Sequence, residues 1–250
     1  MIDPNAPPAI SLIGVRKSYG RHVAVKGLTL EIPPGELFAF LGPNGAGKTT
    51  TIKIIVGLLQ PEAGHVAVCG HRIGANGLAA KAALAYVPDQ PFLYDKLTGR
   101  EFLYFVAEMY GLHRAEREGM IDSLIRRLDI TEFLDQLTES YCPGMKQKVV
   151  LAAALLHRPA VLVIDEPMVG LDPRTVRSVK DLFTEHTRAG GAVFMSTHTL
   201  DIAEALADRI GIIHQGELIA VGTLDELRRK ARREHSLEEI FLELTETGDG

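Results

Sequence analysis

A glycine-rich segment near residue 45 carries the strongest chemical signal in this 250-residue sequence. The segment fits the spacing G-x-x-x-x-G-K-[ST] and is followed by Thr50. Its residues are Gly42, Pro43, Asn44, Gly45, Ala46, Gly47, Lys48 and Thr49. Glycines let the backbone curl so that N–H groups point at phosphate oxygens, and a helix that begins near Lys48 adds positive potential. The pattern predicts that Lys48 binds the β- and γ-phosphates of a nucleoside triphosphate and that the Thr49 hydroxyl binds Mg²⁺.

Two acidic residues, Asp165 and Glu166, follow the apolar segment 161–164. The carboxyl end of a buried strand is where open α/β sheets bind their ligands. We expect Asp165 to hold Mg²⁺, directly or through water, and Glu166 to act as the general base for an attacking water. An acidic pair after a strand is on its own more often a helix cap, but the upstream phosphate loop favours the catalytic interpretation.

The sequence Ser196-Thr197-His198 follows the next predicted strand. A single histidine at a strand end is usually structural. Because His198 comes one strand after the acids, we expect it to donate to the γ-phosphate and to position the water. The other histidines show no grouping and are expected on the surface or in the core.

Periodicity and capping residues indicate the elements that position these side chains. Strands are predicted at 10–15, 23–32, 37–41, 161–164, 192–196 and 209–214. Helices are predicted at 48–59, after Asp172-Pro173 and at 200–207. Capping boxes are predicted for Thr98 with Glu101, Thr223 with Glu226, and Ser236 with Glu239. A helical pattern from 98 to about 156 therefore interrupts a chain that otherwise alternates between strands and helices, which indicates a helical lobe inserted in an α/β core.

Composition narrows the range of functions. Hydrophobic residues make up 46% and charged residues 24% of the chain, and the net charge is -5, so we expect a globular protein with no nucleic-acid partner. We also expect no signal peptide. The longest apolar run, 149–156, is far shorter than the roughly 20 residues that span a bilayer. Cys69 and Cys142 lack CxxC spacing and are expected to be reduced thiols.

The order of these motifs, over roughly residues 10–244, resembles the ATP-binding subunit of ABC transporters. The resemblance implies ATP and Mg²⁺ as cofactors and the roles given above for Lys48, Asp165, Glu166 and His198. It further implies that Tyr19 stacks on adenine and that Asp172, in Gly-Leu-Asp-Pro, contacts the opposite subunit.

The fold implied is a P-loop NTPase core of mixed or parallel sheet, with an N-terminal antiparallel β subdomain and an inserted α-helical subdomain. The expected divisions are 1–97 for the first part of the core, 98–157 for the helical subdomain, 158–222 for the second part of the core, and 223–250 for a C-terminal helical tail.

The first departure from the family pattern is in the signature segment. The family usually has Ser-Gly-Gly where this chain has Cys142-Pro143-Gly144. That segment binds the γ-phosphate held by the other protomer, through the serine hydroxyl and backbone N–H groups. Cys142 is a weak donor and Pro143 has no N–H, whereas Gly144 keeps its N–H. Losing one hydrogen bond to a charged acceptor costs about 1.5–3 kcal/mol, so we expect a weakened half-site.

The second departure is in Tyr86-Val87-Pro88-Asp89-Gln90-Pro91. The family's usual glutamine, which binds Mg²⁺ and senses the membrane partner, aligns with Asp89 by register. Gln90 matches it by chemistry and is the predicted metal ligand on that ground. Both residues stay candidates for this role.

The spacing after Pro91 and the ending 236–244 resemble the ABC-2-type subgroup, which works with exporter permeases. The implied protein is an ATPase that dimerises head to tail on two ATP molecules, as a homodimer or a heterodimer. It would drive a separate transmembrane permease from the inner face of the cell membrane. One alternative is a non-transport ABC-type ATPase that acts as a mechanical or assembly clamp, although the long coiled coils or basic surfaces usual in such proteins are missing. A small-molecule kinase is a further alternative, although nothing in the sequence suggests an acceptor pocket.

Overall fold

The computed structural model describes residues 6–74, 77–168, 170–230 and 237–246. The strands in these ranges are β1 (Ile10–Tyr19), β2 (His22–Ile32), β3 (Leu37–Leu41), β4 (Ala63–Val68), β5 (His71–Arg72), β6 (Leu84–Val87), β7 (Val161–Asp165), β8 (Ala192–Thr197), β9 (Arg209–His214) and β10 (Glu217–Gly222). The helices are α1 (Lys48–Ile55), α2 (Leu78–Ala82), α3 (Gly99–Met109), α4 (Arg114–Leu128), α5 (Pro143–Leu155), α6 (Pro173–Arg188), α7 (Leu200–Leu206), α8 (Leu224–Lys230) and α9 (Leu237–Glu246).

Two sheets confirm the predicted fold class. A six-stranded sheet has the order β10-β9-β3-β8-β7-β6, in which β10 alone runs antiparallel to its neighbour. A four-stranded antiparallel sheet has the order β2-β1-β4-β5. The mixed sheet is the α/β core, and the antiparallel sheet is the predicted β subdomain.

The central strands β3, β7 and β8 are buried along their whole length. Continuous apolar strands of this kind are typical of parallel sheets covered on both faces. Their carboxyl ends lie side by side, since Leu41 pairs with Thr197 and Asp165 pairs with Ser196. The sheet therefore brings the segments that follow β3, β7 and β8 to one edge, where the sequence places its candidate site residues.

Helices α3, α4 and α5 lie between β6 and β7 in the chain, where the helical lobe was predicted. The capping box at the start of α3 is confirmed: Glu101 N–H donates to Thr98 Oγ1 at 3.2 Å, and Thr98 N–H donates to Glu101 Oε2 at 2.8 Å. The boundaries at 97, 157 and 222 stay predictions. One hydrophobic cluster joins Leu103 of α3 and Leu128 of α4 to Val193 of the sheet, so the helices do not have a core of their own.

Helix α1 ends earlier than predicted, at Ile55 and not at residue 59. Gly57 takes a positive φ of 73°, and the N–H groups of Leu58 and Leu59 both donate to Lys53 O, which closes the helix. The apolar residues after Ile55 thus have helical spacing in the sequence but lie outside the helix.

Strand β1 continues to Tyr19, beyond its predicted end at residue 15, and other differences lie at the C-terminus and between residues 63 and 87. The capping box of Thr223 with Glu226 is confirmed, whereas Ser236 and 247–250 lie outside the described residues. Strands β4, β5, β6 and β10 and helix α2 were not predicted. No helix in the described ranges is long and apolar enough to cross a membrane.

Candidate active site

The glycine-rich loop connects β3 to α1, and glycine is required at two of its positions. A Cβ on Gly42 would lie 2.5 Å from the carbonyl oxygen of Ile213. Gly47 has a φ of 111°, and a Cβ there would overlap the carbonyl oxygen of Ala24. The loop is therefore wedged between two strands in a backbone path that side chains would block, directly before the first turn of α1.

The ammonium group of Lys48 lies over this loop. Its Nζ donates to Gly42 O at 2.6 Å and to Pro43 O at 3.2 Å. Burial lowers the pKa of Lys48, while the charges of Glu166 and Asp165 oppose that shift. Among the described residues this buried ammonium donates to neutral carbonyl groups, so it is well placed to bind anionic oxygens.

Asp165 lies at the end of β7, where it meets the start of α1. Thr49 Oγ1 donates to Asp165 Oδ2 at 3.2 Å, and Ser196 Oγ donates to Asp165 Oδ1. Asp165 is 2% exposed, and this burial is the main cause of its raised pKa; the nearby charge of Asp89 also raises it. A cation beside this carboxylate would offset the cost of burying its charge.

Glu166 is held by three consecutive residues at the end of β8. Its backbone N–H donates to Ser196 O at 3.1 Å. One carboxylate oxygen, Oε2, accepts from Thr197 Oγ1 at 3.2 Å. The other, Oε1, accepts from the backbone N–H of His198 at 3.1 Å and from its Nδ1 at 2.7 Å. The predicted base and the predicted histidine therefore contact each other directly.

Asp89 and Gln90 are adjacent and both exposed, after β6. The backbone N–H of Gln90 donates to Asp89 Oδ1 at 2.9 Å. Burial raises the pKa of Tyr86 to about 12, with smaller contributions from the charges of Asp165 and Asp89. In the described ranges no hydrogen bond joins the Asp89 or Gln90 side chain to Thr49 or Asp165, but Asp89 is close enough to act on Asp165 electrostatically.

The predicted signature segment begins α5. Cys142 is exposed and precedes the helix without a side-chain capping bond, and Pro143 occupies the first turn. A Cβ on Gly144 would overlap the carbonyl oxygen of Gly170. The start of α5 is therefore in van der Waals contact with the Gly-Leu-Asp-Pro loop that ends at Pro173.

Asp172 caps α6, as predicted. It accepts from Thr175 N–H at 3.0 Å and from Thr175 Oγ1 at 2.6 Å, and Lys148 Nζ lies 3.3 Å from Asp172 Oδ2. The Lys148 side chain is 13% exposed, so α5 and α6 are joined by a partly buried ion pair. Tyr19, the predicted adenine-stacking residue, is 51% exposed at the end of β1.

Sequence reasoning gave no role to Ser196, Thr197 or Lys148. The two hydroxyl residues stand in the same tripeptide as His198, and their pairing with Asp165 and Glu166 follows from the register of two parallel strands. The strand register is therefore the information from which Ser196 and Thr197 could have been identified. Lys148 lies one turn into α5, and its pairing with Asp172 depends on the contact between α5 and the loop before α6.

A surface cleft of about 620 Å³ lies elsewhere, between α4 and the end of α6. It is lined by residues such as Leu124, Leu182 and His186 and contains none of the candidate site residues. The chemistry is at the opposite, carboxyl edge of the sheet, where His198 contacts Glu166 and the charges of both acids act on Lys48.

Comparisons with known proteins show the family of the chain. A family model described as ABC transporter matches residues 25–169. The linearmycin resistance ATP-binding protein LnrL of Bacillus subtilis is 38% identical over 213 residues, which cover 85% of this chain and 68% of LnrL. The daunorubicin resistance ATP-binding protein DrrA3 of Streptomyces coeruleorubidus is 35% identical, with 89% of this chain and 71% of DrrA3 covered.

A solved structure described as an ATP-binding subunit of an ABC transporter superposes with a TM-score of 0.90 at 35% identity. The superposition covers 94% of this chain and 99% of that one. Motif order, fold and similarity over most of the length lead to one conclusion: the chain belongs to the ABC transporter family as an ATP-binding subunit.

Proposed function

We propose that Lys48, Thr49, Asp165, Glu166 and His198 form the hydrolytic site of this ATPase. The observation that carries the proposal is that the loop lysine, the two acids and the histidine meet at one edge of the sheet. Electrophile stabilisation, metal binding and a general base are the components that phosphoryl transfer to water requires.

The donor set fits a magnesium ion bound to a nucleotide. Thr49 and Asp165 offer oxygen ligands 3.2 Å apart, as a hard cation prefers. The described residues contain no cluster of three or more His, Cys, Asp or Glu side chains able to hold a metal by themselves. Magnesium typically binds through one or two protein oxygens plus substrate phosphates and water, and when bound it would neutralise charge on the phosphate oxygens. Asp89, whose charge acts on Asp165, is the better candidate for the third protein contact, ahead of Gln90.

The chain's own groups divide the reaction among them. Lys48 leaves its two carbonyl partners to bind the β- and γ-phosphates, and the N–H groups of the loop and of the first turn of α1 bind the remaining oxygens. Glu166 accepts a proton from water as the water oxygen bonds to the γ-phosphorus and the bond to ADP breaks. His198 turns from Glu166 to the γ-phosphate, which its exposed side chain permits, since the side chain is 60% exposed.

The test is the variant Glu166→Gln, with Glu62→Gln as a matched control on the surface. Glu166→Gln should lose Mg²⁺-dependent hydrolysis and retain bound ATP, because the amide binds like the carboxylate but accepts no proton. Glu62, whose carboxylate forms a 3.9 Å ion pair with Lys17 on the surface, should be replaceable without effect. Normal turnover in Glu166→Gln would show that another group is the base.

The signature residues support a head-to-tail dimer. Cys142, Gly144 and Asp172 line the start of α5 and the loop before α6, and no hydrogen bond or ion pair between described residues joins them to the loop 42–49 of the same chain. A second copy, or a related chain, would bring its own α5 to the γ-phosphate held by Lys48. Hydrolysis removes that phosphate and so reopens the dimer.

An exposed aromatic patch supports a permease partner on another chain. Phe92 is 73% exposed and Met109 is 70% exposed. Tyr94 contacts both Phe92 and Phe105 edge-on, with ring centroids 5.9 Å and 5.7 Å apart, so the apolar surface is continuous. Patches of this kind mark interaction sites. Phe92 and Tyr94 follow Asp89 closely in the chain, so motion at the nucleotide can reach the partner through this segment.

An exporter permease is the partner that we favour, because LnrL and DrrA3 are named for resistance to linearmycin and daunorubicin. The site of action would then be the inner face of the cell membrane. A photo-crosslinker at Phe92 should capture a protein with several membrane-spanning segments, whereas one at Leu78, which is 81% exposed, should not. Capture of soluble proteins alone from Phe92 would favour the clamp class of ATPase.

A further inference from the structure

The hydroxyl group of Thr197 occupies a position that the hydrolytic site depends on. The residue ends β8 and is 1% exposed. Its Oγ1 donates to Glu166 Oε2 at 3.2 Å and accepts from the backbone N–H of Thr199 at 3.0 Å. We propose that Thr197 is the positioning residue of the general base, a role that rests on the proposed function of Glu166.

Glu166 needs an external constraint because its backbone is in a disfavoured region. Its φ is 54°, which places a non-glycine residue in the left-handed conformation at the point where β7 ends. Such residues persist only when the surrounding structure determines them. The backbone bond to Ser196 O fixes the main chain, and the side chain then depends on its two carboxylate oxygens.

The two oxygens of Glu166 have different partners. His198 binds Oε1, and it is the exposed residue that turns to the γ-phosphate during the reaction. Thr197 binds Oε2, and it is buried at the end of β8. When the imidazole leaves, the attacking water takes its place at Oε1, which the backbone N–H of His198 still binds, and Thr197 still holds Oε2. The carboxylate therefore stays in place during proton transfer.

The direction of the Thr197 hydroxyl is also fixed. A hydroxyl group has one proton and two acceptor sites. Since the Thr199 N–H donates into the oxygen, the single proton is free to point at Glu166. The Thr199 amide thus donates to the Thr197 hydroxyl, and the hydroxyl donates to the Glu166 carboxylate. This chain of hydrogen bonds orients Glu166 without adding a charge beside the phosphate.

The test compares Thr197→Val, which keeps the shape and removes the hydroxyl together with the acceptor of the Thr199 N–H, with Thr197→Ser, which keeps both the oxygen and the proton. A hydrogen bond to a charged group is worth roughly ten- to hundred-fold in rate, so Thr197→Val should lower kcat by that factor. KM and the calorimetric Kd for MgATP should not change, because Thr197 contacts neither Lys48 nor Thr49. Thr197→Ser should restore kcat.

Thr184→Val is the matched control, because its hydroxyl donates only to Lys180 O within α6, at 2.9 Å. It should leave turnover and the melting temperature unchanged. A structural role of Thr197 would lower kcat in both the valine and the serine variant, which would overturn the proposal. The comparison rests on kcat, because valine also removes the acceptor of the Thr199 N–H and so lowers the melting temperature under either role.

A double variant separates this proposal from the role of Glu166 itself. Single-turnover rates should be the same for Glu166→Gln and for Glu166→Gln with Thr197→Val, because a residue that acts through Glu166 has nothing left to position. Full activity of Glu166→Gln would refute the base assignment. Loss of activity in Glu166→Gln with normal turnover in Thr197→Val would refute only the role of Thr197, as would an added loss in the double variant.

Discussion

The hydroxyl of Thr49 donates to Asp165 Oδ2 across 3.2 Å, although 116 residues separate the two in the chain. One residue belongs to the first turn of α1 and the other to the last position of β7. Their contact joins the phosphate loop to the acidic strand end, and it creates a pair of oxygen ligands that neither motif has by itself.

The first prediction concerns this pair. Asp165→Asn should raise the Mg²⁺ concentration needed for half-maximal hydrolysis, because it removes an anionic ligand. Ser196→Ala should have a smaller effect in the same direction, since Ser196 only orients Asp165. Outer partners of metal ligands are worth roughly 10- to 100-fold in affinity, so the shift for Asp165→Asn should be at least of that order. Equal magnesium dependence in all three proteins would contradict the assignment.

The second prediction concerns the signature. Replacing Cys142 by Ser and Pro143 by Gly together should raise ATP turnover of the purified protein by about tenfold, since a hydroxyl and a backbone N–H become available for the γ-phosphate of the partner protomer. The gain should depend on protein concentration, because it acts across the dimer. Unchanged turnover at every concentration would show that the departure from the family pattern is neutral.

The third prediction concerns the pH dependence of stability. The bonds from Thr175, followed by the nearby Lys148 charge, hold the pKa of Asp172 below its usual range. Asp172→Ala should therefore cost about 1 kcal/mol of unfolding free energy at pH 7, which is typical of a lost helix cap. A carboxyl group whose pKa is lower in the folded protein stabilises the fold fully at pH values above its unfolded pKa of about 3.9. This stabilisation disappears as the pH falls through the folded pKa.

Urea denaturation of wild type and Asp172→Ala at several pH values checks this. The gap in unfolding free energy should be constant between neutral pH and about pH 5 and should narrow below about pH 4. A gap that widens on acidification would contradict the assigned direction of the shift.

The fourth prediction concerns the contact between α5 and the loop before α6. Gly144→Ala should reduce ATP turnover and cost about 1–3 kcal/mol of stability, because its Cβ would overlap the Gly170 carbonyl. Gly119→Ala is the control: it lies inside α4 with nothing within 4 Å of the added atom, so it should not lower stability. Both quantities can be measured on the same preparations, by steady-state assay and thermal melting.

The parts of the fold that the sequence predicts well are those with strong local signals. Strand β3 is predicted to the residue because a short apolar run ends at a glycine loop, and the Thr98 cap is predicted because both of its partners lie within three residues. The region 63–87 has no such signal: the short strand β4 depends on pairing with β1, and the exposed two-residue strand β5 depends on pairing with β4.

The candidate site shows the same division. The residues from Gly42 to Thr49 follow from a pattern within eight positions. Thr197 escapes sequence reasoning because its role depends on which strand lies beside β7, and that neighbour is set by the order of the sheet. The hydrogen bond between Glu166 and His198 likewise depends on the positive φ of Glu166. Glutamate is not a residue type from which a positive φ is predicted.

Isothermal titration of the folded protein with MgATP tests the central claim most directly. We expect saturable binding below millimolar nucleotide, and binding weakened roughly ten- to hundred-fold in Lys48→Ala, whose helical position tolerates alanine but whose charge is lost. Well-folded wild-type protein that shows no heat of binding up to millimolar MgATP, or that binds it as Lys48→Ala does, would contradict the account.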